Sequence, residues 1–328
     1  MIDMGKAYPL SAAMRSFVRT TESCFPDEVI EAGIEAQREA YTAMNRLFDV
    51  HRPSGLRCRD TFLGMGASKV AVRRYWPERL IQDQRILFIH GGGWYLGDLD
   101  SHDHFAGSLA HDCRSELIAV HYRRAPEFPF PAALDDVFAV YLAMLEETPA
   151  GVPPLLAGDS AGANLVAALS LRCRDEGVTP ALGQVLIYPA LAEPGSLPSH
   201  QDFSDAPLLN AAAIEFCWRI YGWQSLASMD SQQRSYLAPL AAESLVGLPP
   251  ARLFPVAFDP LRDDAYEYAR RLKLAGVDAD LTLGEGLVHG CLRAMGSAQE
   301  ADRFYDAIRT ACCDLLAGIN TPSRVTAD

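Results

Sequence analysis

From about Leu56 onward the chain alternates short apolar, β-rich stretches with helical patterns, and this alternation limits the fold more than any other feature. The β-rich stretches fall at 69–76, 85–90, 116–122, 154–158, 184–188, 252–258 and 280–283. Helical spacing fills 131–147, 161–176, 263–275 and 297–316. Largely apolar strands separated by helices need cover on both faces, which predicts an α/β protein with a mostly parallel central sheet of about eight strands. The two earliest stretches have only a short link between them, which predicts an antiparallel edge. Ahead of them lie about 50 helix-prone residues, with Ile30, Ile34, Tyr41, Met44 and Phe48 on one face and Gln37 interrupting it. Between Ala190 and Pro249 about sixty residues pass without a convincing strand. They hold one amphipathic helix, with Asn210 as N-cap and Ile214, Cys217, Trp218 and Tyr221 on one face. An excursion of that length from a regular sheet usually serves as a lid or binding element.

Composition excludes several function classes. Against 42 Asp+Glu the 328-residue chain carries 29 Lys+Arg, a formal charge of -13 without the basic stripe that nucleic-acid binding requires. No apolar run approaches the roughly 18 residues of a spanning helix, and the first residues lack the basic and apolar regions of an export signal. The eight cysteines include no Cys-x-x-Cys, and Cys312 and Cys313 are adjacent. That spacing suits neither a zinc ribbon nor a disulfide framework, so a cytoplasmic protein with reduced thiols and no stable membrane anchor is expected.

The sharpest local signal is Gly158-Asp159-Ser160-Ala161-Gly162, set between a strand-like and a helix-like stretch. A serine there must sit on a tight turn, where small neighbours let the backbone fold sharply and present the hydroxyl at the sheet edge. The helix N-terminus behind it favours developing negative charge. A serine hydroxyl is a poor nucleophile until a base takes its proton and a carboxylate orients that base. In this context both partners follow the serine in chain order, which leaves His200 and His289 of the eight histidines. His200 lies in the long excursion. His289 lies in a predicted loop just after the last strand, at the carboxyl edge of the sheet, and is the expected base. Asp259 ends the stretch 252–258 ahead of Pro260 and is the expected carboxylate. Asp263 and Asp264 are its rivals, with helix capping as their ordinary duty.

His90-Gly91-Gly92-Gly93-Trp94 follows directly on the stretch 85–89. Acyl transfer passes through a tetrahedral oxyanion that needs backbone N–H donors held ready, and a glycine run keeps side chains out of their way. Gly92, Gly93 and Ala161 are the expected donors. Trp94 and Asp159 are candidate pocket residues. The glycines miss the dinucleotide spacing, and no phosphate-binding Gly-x-x-x-x-Gly-Lys occurs, so no cofactor is expected. His102-Asp103-His104 could suggest a metal, but helical or capping duty is the better reading of so acidic a stretch, and no metal is expected.

Taken together these blocks resemble the bacterial hormone-sensitive-lipase-like carboxylesterases of the α/β-hydrolase superfamily. The resemblance spans about 85–295 and includes Gly-Asp-Leu-Asp at 97–100, Tyr-Arg-Arg-Ala-Pro-Glu at 122–127, Asp-Pro-Leu-Arg-Asp-Asp at 259–264 and Val-His-Gly at 288–290. It implies nucleophile Ser160, acid Asp259, base His289 and an oxyanion hole of Gly92, Gly93 and Ala161. It also implies a helical cap from 1–50 and 191–240 over a catalytic domain formed by 51–190 and 241–328. The implied substrate is a small-molecule ester of short to medium chain, and a homodimer is a family expectation. The chain departs from the pattern at Arg124, Phe128, Asp264-Ala265 and Cys291, none of them a catalytic position. An amidase or deacetylase on the same machinery, and a receptor that binds a small ligand without catalysis, are the alternatives.

Overall fold

The computed structural model describes residues 8–48, 52–64, 69–81, 83–148 and 151–318. Its strands are β1 (Leu56–Leu63), β2 (Val70–Pro77), β3 (Arg85–Ile89), β4 (Glu116–His121), β5 (Leu155–Asp159), β6 (Gln184–Ile187), β7 (Ala251–Phe254), β8 (Val256–Phe258), β9 (Ala279–Leu281) and β10 (Gly284–Val288). Eight of them form one sheet in the order β1-β2-β4-β3-β5-β6-β7-β9. From β4 to β9 every pairing is parallel, and β2 runs antiparallel to both β1 and β4.

The antiparallel edge differs in detail from expectation. β2 pairs with β4, not with β3, and the outermost strand β1 has no counterpart among the predicted stretches. Its sequence, Leu-Arg-Cys-Arg-Asp-Thr-Phe-Leu, is charged and largely exposed because it borders solvent, where charge protects a free edge from further pairing. The stretch 252–258 is also not one strand. Pro255 divides it, so β7 stays in the main sheet while β8 pairs in parallel with β10 as a separate two-stranded unit. The loop expected at 284–290 is therefore mostly strand β10.

Helices α1 (Ala12–Glu22), α2 (Asp27–Glu31) and α3 (Ile34–Met44) precede the sheet. Next come α4 (Asp103–Cys113), α5 (Ala132–Glu146) and α6 (Ala161–Asp175), then α7 (Pro198–Asp202), α8 (Ala211–Tyr221) and α9 (Ser231–Leu237), and finally α10 (Arg262–Leu274) and α11 (Gln299–Ala317). Alternate strand residues face opposite layers, as the pleat requires. Leu87, Ile89, Ile118 and Leu156 pack with Val137 of α5, Leu165 of α6 and Leu272 of α10. Ile86, Phe88, Leu117 and Ala157 pack with Phe105 of α4, Ile308 of α11 and Met14 of α1.

α3 and α8 come together over the glycine loop. Tyr41 and Met44 of α3 form a third cluster with Tyr95 and Leu96 of the glycine loop, and Phe216, Cys217 and Ile220 of α8 pack against it. The expected N-terminal stripe is interrupted: the helix breaks at Gly33 (φ 99°), and Ile30 ahead of it is exposed. Gln37, which breaks the stripe in sequence, is itself buried. It accepts from Tyr95 Oη at 3.1 Å. In the excursion, Asn210 caps α8 by accepting from Ala213 N–H at 2.9 Å, and Ile214, Trp218 and Tyr221 are buried as expected. α7 and α9 are additional short helices without an apolar stripe legible in the sequence.

Candidate active site

Ser160 joins β5 to α6 at φ 54° and ψ −120°, a conformation that costs a non-glycine residue about 1–3 kcal/mol. Close packing beneath it holds that turn. A Cβ at Gly162 would lie 2.0 Å from the Ile89 carbonyl oxygen, and one at Gly158 would lie 2.7 Å from the Gly162 carbonyl carbon. Only glycine at both positions lets the first turn of α6 rest against the end of β3. The Ser160 N–H donates to Ile187 O at 2.8 Å, tying the turn to β6.

Asp259 directly follows β8, is wholly buried and accepts from Leu261 N–H at 2.9 Å through Oδ1. β10 delivers His289 beside it, because the two strands pair in parallel and end together. His289 Nδ1 donates to Asp259 Oδ2 at 2.7 Å, and Ser160 Oγ donates to His289 Nε2 at 2.9 Å. Thus three residues from three strand ends, 129 positions apart at the widest, form one hydrogen-bonded relay. Asp263 and Asp264 stand in the first turn of α10, outside this relay. Their side chains do not cap that helix as expected: Asp263 accepts from Ser199 N–H at 3.0 Å, and Asp264 meets His200 Nε2 at 2.9 Å.

The glycine loop lies across from Ser160. Gly91 N–H is already taken, donating to Asp159 Oδ1 at 2.8 Å. Gly92 and Gly93, at φ 114° and 57°, turn the chain tightly enough for Gly92 O to accept from both Tyr95 and Leu96 N–H. Asp159 lines the cavity, but its carboxylate faces the loop and His102 Nε2, 3.5 Å away. Burial pushes that carboxyl up; His102, the Gly91 N–H and Arg293 outweigh burial and bring it down to about 2. His90 is buried and neutral: desolvation pushes it down to about 3 while its Nδ1 donates to Gly91 O at 2.8 Å. Trp94 also borders the cavity, with its ring stacked on Tyr221 at 4.4 Å and edge-on to Trp218 at 5.2 Å.

Above Ser160 and His289 lies a cavity of about 600 Å³. Its walls come from the glycine loop, from the N-terminal segment (Phe25 between α1 and α2, Tyr41 of α3) and from the excursion (Ile214, Cys217). Sequence reasoning missed Tyr188 and Arg293 there. Tyr188 follows β6 and packs its ring 4.6 Å from that of His289, a place readable from the sheet edge alone. The Arg293 guanidinium lies 4.6 Å from the centroid of the Tyr41 ring, a pairing across about 250 residues that no local pattern signals. Cys291 beside His289 is fully buried, and burial pushes its thiol up.

Asp103 of the His102–His104 stretch accepts from Arg73 at 2.9 Å and Tyr75 Oη at 2.8 Å. Among the described residues no group of three or more His, Cys, Asp or Glu side chains is arranged to hold a metal ion. Among those residues, too, no helix is long and apolar enough to cross a membrane.

A strained serine turn and a glycine loop at the carboxyl edge of the main sheet, with a histidine–aspartate pair brought beside them by the β8–β10 unit, are the parts of a serine hydrolase. Residues 86–293 match the family described as the α/β hydrolase fold. Esterase LipI of Mycobacterium tuberculosis is 36% identical over 269 residues, 80% of this chain and 82% of that protein. Carboxylesterase NlhH of the same species is 38% identical over 270 residues, 78% of this chain and 83% of that one. The crystal structure of DphMB1 superposes with a TM-score of 0.81 at 34% identity, covering 93% of this chain and 99% of the other. The chain belongs to the α/β-hydrolase-fold carboxylesterases related to the bacterial hormone-sensitive-lipase family. It is a serine-dependent carboxylic ester hydrolase acting on small esters.

Proposed function

We propose that Ser160 is the nucleophile of this hydrolase, His289 its general base and Asp259 the carboxylate that orients the histidine. The backbone N–H groups of Gly92, Gly93 and Ala161 receive the oxyanion. Ser160 Oγ attacks the ester carbonyl as its proton passes to His289 Nε2. The imidazolium, stabilised by Asp259, then protonates the departing alcohol. Water repeats the sequence on the acyl-enzyme and frees the acid. The observation that carries this reading is the unbroken relay of 2.9 and 2.7 Å from Ser160 through His289 to a wholly buried Asp259, at the floor of the cavity.

The preferred substrate in this reading is an ester of short to medium acyl chain. A cavity of about 600 Å³, walled by Trp94, Ile214 and Trp218, supports that size class. The cap is assigned to residues 1–50 and 191–240. The eight free thiols agree with a cytoplasmic location, and a homodimer is carried over from the family resemblance. Hydrolysis of p-nitrophenyl esters from acetate to laurate, by wild type and Ser160→Ala, tests the assignment. Activity that peaks at short chains and vanishes in the variant supports it. Equal activity of the two proteins overturns it.

A further inference from the structure

The rejected rivals of the triad form a second cluster beside it. Asp264 is wholly buried, and Oδ1 accepts from the N–H groups of Leu191 and Ala192 at 2.7 Å each, just past the end of β6. Its Oδ2 meets Nε2 of the buried His200 in α7 at 2.9 Å. One residue earlier in α7, Ser199 is fully buried. Its Oγ donates to Pro260 O at 2.6 Å and accepts from Asp263 N–H at 3.0 Å, while its N–H donates to Asp263 Oδ2 at 3.0 Å.

These bonds converge on the turn 260–264, the segment that follows Asp259. That turn contributes directly to the relay, because Leu261 N–H donates to the Asp259 oxygen that does not face His289. Asp259 directly follows β8, and His289 directly follows β10, in the two-stranded unit that shares no strand pairing with the main sheet. The start of the excursion adds a support of its own: Leu191 and Ala192 anchor Asp264, and Ser199 of α7 binds the turn at Pro260 and Asp263. A carboxyl group as buried as Asp264 is costly unless its oxygens are bonded, and here three donors meet it.

We propose that Ser199, with the His200–Asp264 pair behind it, is a positioning residue for the ester hydrolysis: it fixes the 260–264 turn and thereby holds Asp259 in register with His289. This rests on Asp259 being the triad acid. Residues 190–203, at the start of the segment assigned to the cap, then also serve as a brace for the catalytic acid.

The test is a double-mutant cycle. Ser199→Ala and Asp263→Ala are each made in wild type and in Asp259→Asn, with Asp263→Asn as the conservative control that keeps an acceptor for Ser199 N–H. Thermal melting checks that every variant is folded. In wild type, Ser199→Ala and Asp263→Ala are expected to lower kcat about tenfold with little change in KM, because small misplacements of a catalytic group act on the chemical step. Asp263→Asn restores most of the loss. In the Asp259→Asn background the same substitutions have almost no further effect on kcat, since they act only through the missing carboxylate. Losses that persist undiminished in that background, or a wild-type kcat in folded Ser199→Ala and Asp263→Ala, overturn the proposal. If Asp259→Asn itself keeps full kcat, the triad assignment has failed instead.

Discussion

A methyl group added at Gly93 would lie 2.5 Å from Cys217 Sγ on α8, about an ångström inside a normal contact. Gly93 also sits at φ 57°, where an alanine costs about 1–2 kcal/mol. The helix cannot easily yield, because Trp218 and Tyr221 of α8 are locked against Trp94. The loop must therefore move, and with it the Gly93 N–H assigned to the oxyanion. Loss of one such donor lowers kcat about 10²–10³-fold, and that is the expected effect of Gly93→Ala on p-nitrophenyl butyrate hydrolysis. Cys217→Ala removes Sγ and leaves a nearest Cys217 contact of 3.3 Å from Cβ, tight but tolerable. The pair Gly93→Ala/Cys217→Ala should then recover to within about tenfold of Cys217→Ala alone, the residue being the backbone cost. Steady-state kinetics on folded proteins decide the matter. A double variant as slow as Gly93→Ala, or a fully active Gly93→Ala, refutes the argument that α8 sets the loop.

Acid should destabilise the protein through His90. The folded state keeps this histidine neutral down to about pH 3, whereas the unfolded chain protonates it below about 6.5. The unfolded state binds more protons throughout that window, so stability falls as pH falls, by at most about 1.4 kcal/mol per pH unit. His121, also pushed down by burial, acts in the same direction. Asp159 contributes later: its stabilisation is lost only as pH falls from about 4 toward 2. Urea unfolding at pH 6.5 and 5 should show the drop, and a His90→Gln variant should show a shallower one; equal slopes contradict the assignment. Trp94→Ala, which empties the stack on Tyr221 and Trp218, should cost roughly 3–5 kcal/mol of stability and extend the ester profile to longer chains. A loss below about 1 kcal/mol by denaturant titration would mean that the ring bears little packing.

Much of this was legible because strand-and-helix periodicity and small-residue turns are local signals. The central strands β3, β5 and β6 are buried along their whole length and, apart from one end residue each (Arg85, Asp159 and Gln184), carry no polar side chain, since both faces are covered, and the Gly-Asp-Ser-Ala-Gly turn lies where strand meets helix. The order serine, acid, base along the chain then singled out Asp259 and His289 as partners for Ser160. What stayed hidden depends on contacts between distant segments. β1 is charged because its edge faces water, so it carries no apolar run to find. Pro255 marked a break that the apolar pattern of 252–258 masked, and with it the small β8–β10 unit that delivers His289 to Asp259. The acids at 263 and 264 carried the ordinary signature of a helix start. Only the approach of α7, from sixty residues earlier, reveals that they bind Ser199 and His200 instead. Gln37 and Arg293 are of the same kind, polar residues whose partners, Tyr95 and Tyr41, lie on distant segments.

The most direct test of the central claim is stoichiometric labelling with a fluorophosphonate, followed by peptide mapping. Phosphonylation of Ser160, one group per chain, with loss of esterase activity in proportion to labelling and no labelling of folded Ser160→Ala, is the predicted result. Esterase activity that survives complete modification of Ser160, or a label that maps to another residue as activity is lost, would contradict it.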